Sequence, residues 1–222
     1  VALSADSLTV AIGAIYNDGN GTDSGHVRIY EWDGFSWNQL GSDIDGEAAG
    51  DLSGISVSLS ADGQTLAIGA HENDGNGSGA GHVRIYSWDG SSWNQLGSDI
   101  DGEAAGDESG RSVSLSDDGR MVAIGANYND NNGSNSGHTQ IYSWNGASWN
   151  QIGVDIDGEA TDDESGYSVS LSADGQTVAI GAIFNDGNGP DSGHVRIFQL
   201  SPLTDSFSTV TDTISVDVTG SN

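Results

Sequence analysis

The chain has 222 residues, with 33 acidic side chains against five basic ones, all arginine, and a formal net charge of −28. Such a surface repels DNA, RNA and anionic membranes, which excludes nucleic-acid partners, and no apolar run reaches the roughly 20 residues of a membrane helix. The absence of cysteine removes disulfides, thiolate metal sites and cysteine nucleophiles, and a first residue of Val1 leads us to expect a processed product or a portion of a longer chain.

In chain order, one unit recurs. The segment Val57-Ser58-Leu59-Ser60-Ala61-Asp62-Gly63 returns as 113–119 and 169–175, and residues 1–7 are its first copy. The period is 56 residues with no insertion or deletion, so the repeats are 1–56, 57–112, 113–168 and a shorter fourth, 169–198. Within a repeat the apolar period is two. Val57 and Leu59 alternate with serines in a first strand, and 65–70 form a second strand of small residues. Residues 81–88 give a third strand carrying Val83 and Ile85, and 93–100 give a fourth. Asp62-Gly63 and Asp89-Gly90 stand where tight hairpin turns are needed.

No segment carries a helical stripe, so the fold class is all-β with four strands per repeat. Side-chain volume rises along the repeat, from Ser, Ala and Gly to Tyr and paired Trp. Sheets arranged radially are crowded at the axis and fan apart outward, which predicts a β-propeller rather than a linear solenoid. Four repeats predict four blades that close within the chain.

Three runs in each repeat, Gly54-Ile55-Ser56-Val57, Ala67-Ile68-Gly69-Ala70 and Gly81-His82-Val83-Arg84-Ile85-Tyr86, resemble the FG-GAP repeat of integrin-α-type propellers. That family's pattern runs Phe-Gly-x-Ser-Val, Val-Gly-Ala-Pro, Gly-x-Val-x-Val-Tyr, and the likeness covers about residues 1–198. The wording is similar to repeats in secreted proteins of aquatic microbes, which implies an extracellular location. Ser53 stands in the place of the Phe, and the family's Asp-rich calcium loop is shortened to Ser60-Ala61-Asp62-Gly63. Integrins have seven copies where this chain has four.

The loop between second and third strands supplies the candidate binding residues. Asp18, Asn20 and Asp23, with Asp74, Asn76, Asp130, Asn132, Asp186 and Asn188 in the other copies, offer oxygens at alternate positions that suit Ca²⁺. The same residue types are what any tight turn prefers. Asn20, Asn76 and Asn132 also head glycosylation sequons, a role that competes with metal binding. His26, His82, His138 and His194 recur at the start of the third strand, where bonding to their own loop is expected over a metal ring. Trp88 and Trp93 read as cross-strand packing or as sugar-stacking platforms.

Beyond Phe198 the pattern changes. Residues 199–207 read as a linker and 208–222 as a C-terminal strand tail, with Val210, Ile214, Val216 and Val218 on one face. An open edge on the fourth blade would invite this strand, from the same chain or from a neighbour. No nucleophile elbow, zinc-protease pair or phosphate loop is present, so the chain is expected not to be an enzyme. The reading is an extracellular structural or adhesive propeller module, able to form a fibre by C-terminal strand exchange. Its alternative is a calcium-dependent or lectin-like binding module. The partners expected are the chain itself or an extracellular glycan or protein ligand.

Overall fold

A computed structural model describes residues 1–201 and 206–209. Nineteen strands and no helix occur among the described residues, so no helix is long and apolar enough to cross a membrane. The first blade comprises β1 (Ala2–Leu3), β2 (Thr9–Ala14), β3 (His26–Trp32), β4 (Trp37–Gln39) and β5 (Ile44–Asp45). The second holds β6 (Ser56–Leu59), β7 (Thr65–Ala70), β8 (His82–Trp88), β9 (Trp93–Gln95) and β10 (Ile100–Asp101). The third holds β11 (Ser112–Leu115), β12 (Met121–Ala126), β13 (His138–Trp144), β14 (Trp149–Gln151) and β15 (Ile156–Asp157). The fourth holds β16 (Ser165–Leu171), β17 (Thr177–Ala182), β18 (His194–Ser201) and β19 (Ser206–Thr209). All pairings within a blade are antiparallel, and the fold is a β-propeller of four blades.

The expected fourth strand is in fact two pieces. β9 and β10 both pair with β8, and Gly97 lies between them at φ +84. A side chain there would run into the next blade, because an added Cβ would lie 2.9 Å from Trp144 Cζ3. Gly41 does the same beneath Trp88. The break therefore makes room for the neighbouring tryptophan pair, whose rings sit 5.5 Å apart and tilted.

The cores lie between blades. Ala11, Val27 and Ile29 of the first blade pack against Leu59, Leu66 and Ile68 of the second, and the pattern recurs at the next two junctions. Strand alternation sends one set of side chains to each neighbour, so both faces of an inner blade read as apolar. Small residues at the crowded centre permit close approach, as at Gly69, whose missing Cβ would lie 2.0 Å from the carbonyl oxygen of Gly110.

Two expectations about the ends are corrected. Residues 199–207 are not simply a linker, since β18 runs to Ser201 and β19 pairs with it from Ser206. The fourth blade thus takes its outer strand from its own chain. The tail residues Val210, Ile214, Val216 and Val218 lie outside the described residues. Closure of the fourth blade onto the first is also not made. Among the described residues no hydrogen bond joins them, and Leu3 and Ile12 are 57% and 39% exposed where Leu59 and Ile68 are 9% and 1%.

Candidate cation site at the blade junctions

The loop between second and third strands lies along the link to the next blade. Gly46 and Ser53 donate to the carbonyls of Gly25 and Ser24, so loop and link are stitched by main-chain bonds. This places the acidic link and the Asn-rich loop side by side.

The residues expected to bind calcium serve that stitching. Asp18 Oδ1 accepts from the Asp23 amide, and Asp74, Asp130 and Asp186 accept in the same way from Gly79, Asn135 and Asp191. Asn20 Nδ2 donates to the carbonyls of Gly46 and Glu47, Asn76 to those of Gly102 and Glu103, and Asn132 to those of Gly158 and Glu159. A glycan on any of these nitrogens would replace one of the two hydrogens it donates and so remove one of the bonds that hold the loop to the link. Asn188 has an exposed side chain with no hydrogen bond among the described residues. In the shortened loop after the first strand, Asp62 Oδ1 accepts from Ser60 Oγ and from the Gln64 amide. That single, committed carboxylate does not fit a calcium loop.

A different cluster forms beside the third-strand histidine of each of the first three blades. The third-strand histidine meets a carboxylate from its own blade and one from the link or from a second outer-strand position. The sets are His26 with Asp43 and Asp45, His82 with Glu47 and Asp99, and His138 with Glu103 and Asp155, each with ligand atoms within 4.8 Å of one another. In the second and third sets the acidic members escape the loop motif because one of them, Glu47 or Glu103, comes from the link that precedes the blade.

One side chain separates the three. In the first set Arg28 grips Asp43 at 2.8 Å and holds its carboxyl down to about 2. In the second, Arg84 lies 3.5 Å from Glu47 and donates to the carbonyl of Asp45. The fourth blade repeats this arrangement with Arg196 and Glu159. The third blade has Gln140 instead. Its Nε2 donates to Glu103 Oε1 at 3.1 Å and to Asp155 Oδ1 at 3.0 Å, while its Oε1 accepts from Tyr142.

The Gln140 junction therefore gathers two carboxylates with no guanidinium in the cation's place. His138 is 1% exposed, and its Nδ1 has no hydrogen-bond partner, although it lies 3.9 Å from Asp155 Oδ2. Burial together with the carboxylates of Asp155 and Glu103 pushes the Tyr142 hydroxyl up to about 12. An orphaned buried imidazole nitrogen beside two carboxylates is a donor set for a divalent cation. One nitrogen and two oxygens suit Mn²⁺ or Zn²⁺ better than the all-oxygen shell of Ca²⁺.

Outward of this junction lies an open cleft of about 330 Å³, lined by Trp149, Tyr142, Asp99 and Asp101. The tryptophan pairs are primarily junction contacts, since Trp93 and Trp149 donate to the carbonyls of Leu40 and Leu96 at 3.0 and 2.8 Å.

A second polar group escaped the motif reading. Beside the starts of the inner strands, His71, Glu108, Arg111 and Glu164 gather around one mouth. Burial, with Arg111 nearby, lowers His71 to about 4, and burial with the carboxylate of Glu72 raises Glu108 to about 7. Arg111 stacks 5.0 Å over Tyr167, and Asn127 donates to Glu164. The signal was available as departures from the repeat, with Ile15, His71, Asn127 and Ile183 at one position and Leu52, Glu108 and Glu164 at another.

Comparison with known proteins bears on this geometry. A family model described as FG-GAP repeat matches residues 44–86, 99–142 and 154–198, together more than half of the chain. Each match starts at or just before the last outer strand of one blade and ends in the third strand of the next, so it spans a junction. No curated protein sequence matches the chain. Among solved structures, a 6-phosphogluconolactonase candidate from Bacteroides uniformis superposes with a TM-score of 0.65 at 11% identity, over 97% of this chain and 54% of that one. Hydrazine synthase of Kuenenia stuttgartiensis gives 0.56 at 12% identity, over 97% and 48%. The periplasmic gluconolactonase of Pseudomonas aeruginosa gives 0.53 at 18% identity, over 92% and 56%. The chain spans about half the length of each, and the likeness is one of fold.

Proposed function

The chain belongs to the FG-GAP repeat family, and from that membership we propose a non-catalytic, extracellular structural or adhesive propeller module that holds one divalent cation between its second and third blades. The observation carrying this reading is the substitution of Gln140 for the arginine found at the equivalent place in the other three blades. Arg28, Arg84 and Arg196 each supply a positive charge to the carboxylates beside their histidine. At the third blade that charge must come from solution. A cation there would tie Glu103 of the second link to His138 and Asp155 of the third blade, stiffening a junction that the −28 charge of the chain strains. Such a module presents its acidic face to a second copy of the chain or to an extracellular glycan or protein ligand.

The test is calorimetric titration of metal-stripped protein with MnCl₂, ZnCl₂ and CaCl₂, followed by thermal melting. One equivalent of Mn²⁺ or Zn²⁺ should bind and raise the melting temperature, by about 2.7 kcal/mol of stability at a hundredfold excess over Kd. Gln140→Arg should abolish the binding while the apo protein melts no lower. Absence of saturable binding, or binding unchanged in Gln140→Arg, would overturn the cation reading. Labelling of intact source cells with an antibody tests the extracellular location, and staining only after permeabilisation would refute it.

A lectin-like module is the second reading, favoured by the cleft in which Trp149 and Tyr142 stand with Asp99 and Asp101. Aromatic faces beside carboxylates are a means of holding sugar rings. A glycan array with and without divalent cation separates the two, since only this reading expects a hit lost in Trp149→Ala.

A further inference from the structure

The carboxylates beside the third-strand histidines are answered by an arginine or by Gln140. The group at the mouth of the inner strands is not. Among the described residues, Glu108, Glu164 and Arg111 form no ion pair within 4.0 Å, and Glu72 has only His71 Nε2 at 3.9 Å. Arg111 is drawn aside onto Tyr167, its guanidinium 5.0 Å from the ring centre and 3.3 Å from the hydroxyl oxygen. Two buried polar atoms are unanswered as well. His71 is 6% exposed and its Nδ1 has no hydrogen-bond partner. Asn127 is 1% exposed and its Oδ1 has none, although the same amide donates to Glu164. We infer that this mouth binds a small organic cation bearing N–H donors, an amine or guanidine in its protonated form, between Glu108 and Glu164.

The fold itself does not ask for these groups. His71 and Glu108 stand 37 positions apart, as do Asn127 and Glu164, and the first blade fills the same two places with Ile15 and Leu52. The first and second blades therefore meet without a polar side chain at either place. Burying polar atoms and leaving them unpaired costs free energy, and two such atoms in one group mark a site that a ligand completes.

The unanswered atoms fix the ligand's chemistry. Burial, with Arg111 nearby, keeps the His71 imidazole neutral at pH 7, and Glu72 beside Nε2 favours the proton there, which leaves a lone pair on Nδ1. Asn127 Oδ1 and the ionised carboxylates also only accept, so the ligand must donate. Three carboxylates against one guanidinium call for a charged donor. Glu108, burdened by burial and by Glu72, holds a proton up to about 7, and that proton stands in for the missing cation. A bare metal ion does not suit the spacing, for among the described residues only the sets around His26, His82 and His138 bring three ligand atoms within 4.8 Å. Glu164 raises the Tyr128 hydroxyl, which places that ring beside the carboxylates, and at 36% exposed it offers a face to the cation's carbon-bound hydrogens.

The experiment is an NMR titration of the nitrogen-15-labelled 222-residue chain in about 0.15 M NaCl with butylammonium and methylguanidinium chlorides, read at the side-chain N–H signals of Asn127 and Arg111. At least one of the two should shift these signals to saturation. Butanol, which has no charge, and tetramethylammonium, which has no N–H, should not. Glu108→Gln should weaken the binding about tenfold or more, since it removes a charge-assisted bond. The double substitution His71→Ile with Glu108→Leu copies the pair that the first blade already carries, so it should fold and bind nothing. Gln140→Arg should leave the binding unchanged, which separates this mouth from the junction cation. Failure of both cations to saturate would overturn the proposal. So would equal binding of butanol or tetramethylammonium, shifts spread evenly over the acidic links, or binding undiminished in the folded double variant.

Discussion

The indole N–H of Trp149 donates to the main-chain carbonyl of Leu96 at 2.8 Å, from the outer strand of the third blade to the break in the outer strand of the second. Trp93 and Leu40 repeat the bond one junction earlier at 3.0 Å. Trp37, in the first blade, is 45% exposed and has no such partner among the described residues.

This contrast makes a paired prediction. Trp149→Phe keeps an aromatic ring but removes the donor and part of the ring's volume, at a cost of about 1 kcal/mol or more, a melting point lower by at least about 2–4 °C. Trp37→Phe should shift the melt by less than a degree. Equal losses at both sites would show that ring packing, rather than the inter-blade bond, is what matters.

Gly97 tests why the outer strand is broken. Gly97→Ala combines left-handed strain at φ +84 with a collision on Trp144, so about 2–4 kcal/mol should be lost. Gly90→Ala sits at a similar φ, +96, with nothing within 4 Å, and should lose only the strain, about 1–2 kcal/mol. Denaturant midpoints that fail to separate the two would remove the steric explanation.

Glu108 sets a pH dependence. Its carboxyl, raised to about 7 by burial and by Glu72, keeps in the folded state a proton that the unfolded chain releases near 4.5. Stability from this group is present below 4.5 and is lost as pH rises through 7. Glu108→Gln should therefore melt higher than the parent at pH 8 by a few degrees and alike at pH 4. His71, lowered to about 4, acts in the opposite sense, weakening the fold as pH falls from 6.5 towards 4. A pH-independent offset between Glu108→Gln and the parent would count against the assignment.

The Asn-rich loops supply a fourth comparison. Asn132→Ala deletes two bonds to the link and should cost about 1–2 kcal/mol, with faster proteolysis of the loop. Asn188→Ala deletes an exposed side chain and should be silent in both assays. Limited proteolysis that cuts both variants equally would refute the loop-to-link role.

Much of the fold was legible because the period-two pattern of Val57 and Leu59, and the turns at Asp62-Gly63 and Asp89-Gly90, report on neighbours within one repeat. The broken fourth strand was not, because Gly97 is explained only by Trp144 of the next blade, 47 positions further on. The cation cluster hid for the same reason, Glu103 and His138 being brought together by a junction. In the loop, Asp18 and Asn20 have the composition of a ligand set, and their bonds to the Asp23 amide and to the link, which form a clasp, could not be read from that composition. Repetition also misdirected the reading of closure. Identical repeats specify identical junctions, but the angle between them, and hence where the ends fall, comes from side-chain packing summed over all of them.

Ala5, Ala61, Asp117 and Ala173 form a single directed chain of bonds from blade to blade. A row of units coupled only to nearest neighbours opens from its ends, so amide hydrogens should exchange with deuterium in a graded order rather than all at once. The amides of β7 and β12, flanked by blades on both sides, should be the last to exchange, and those of β2 among the first.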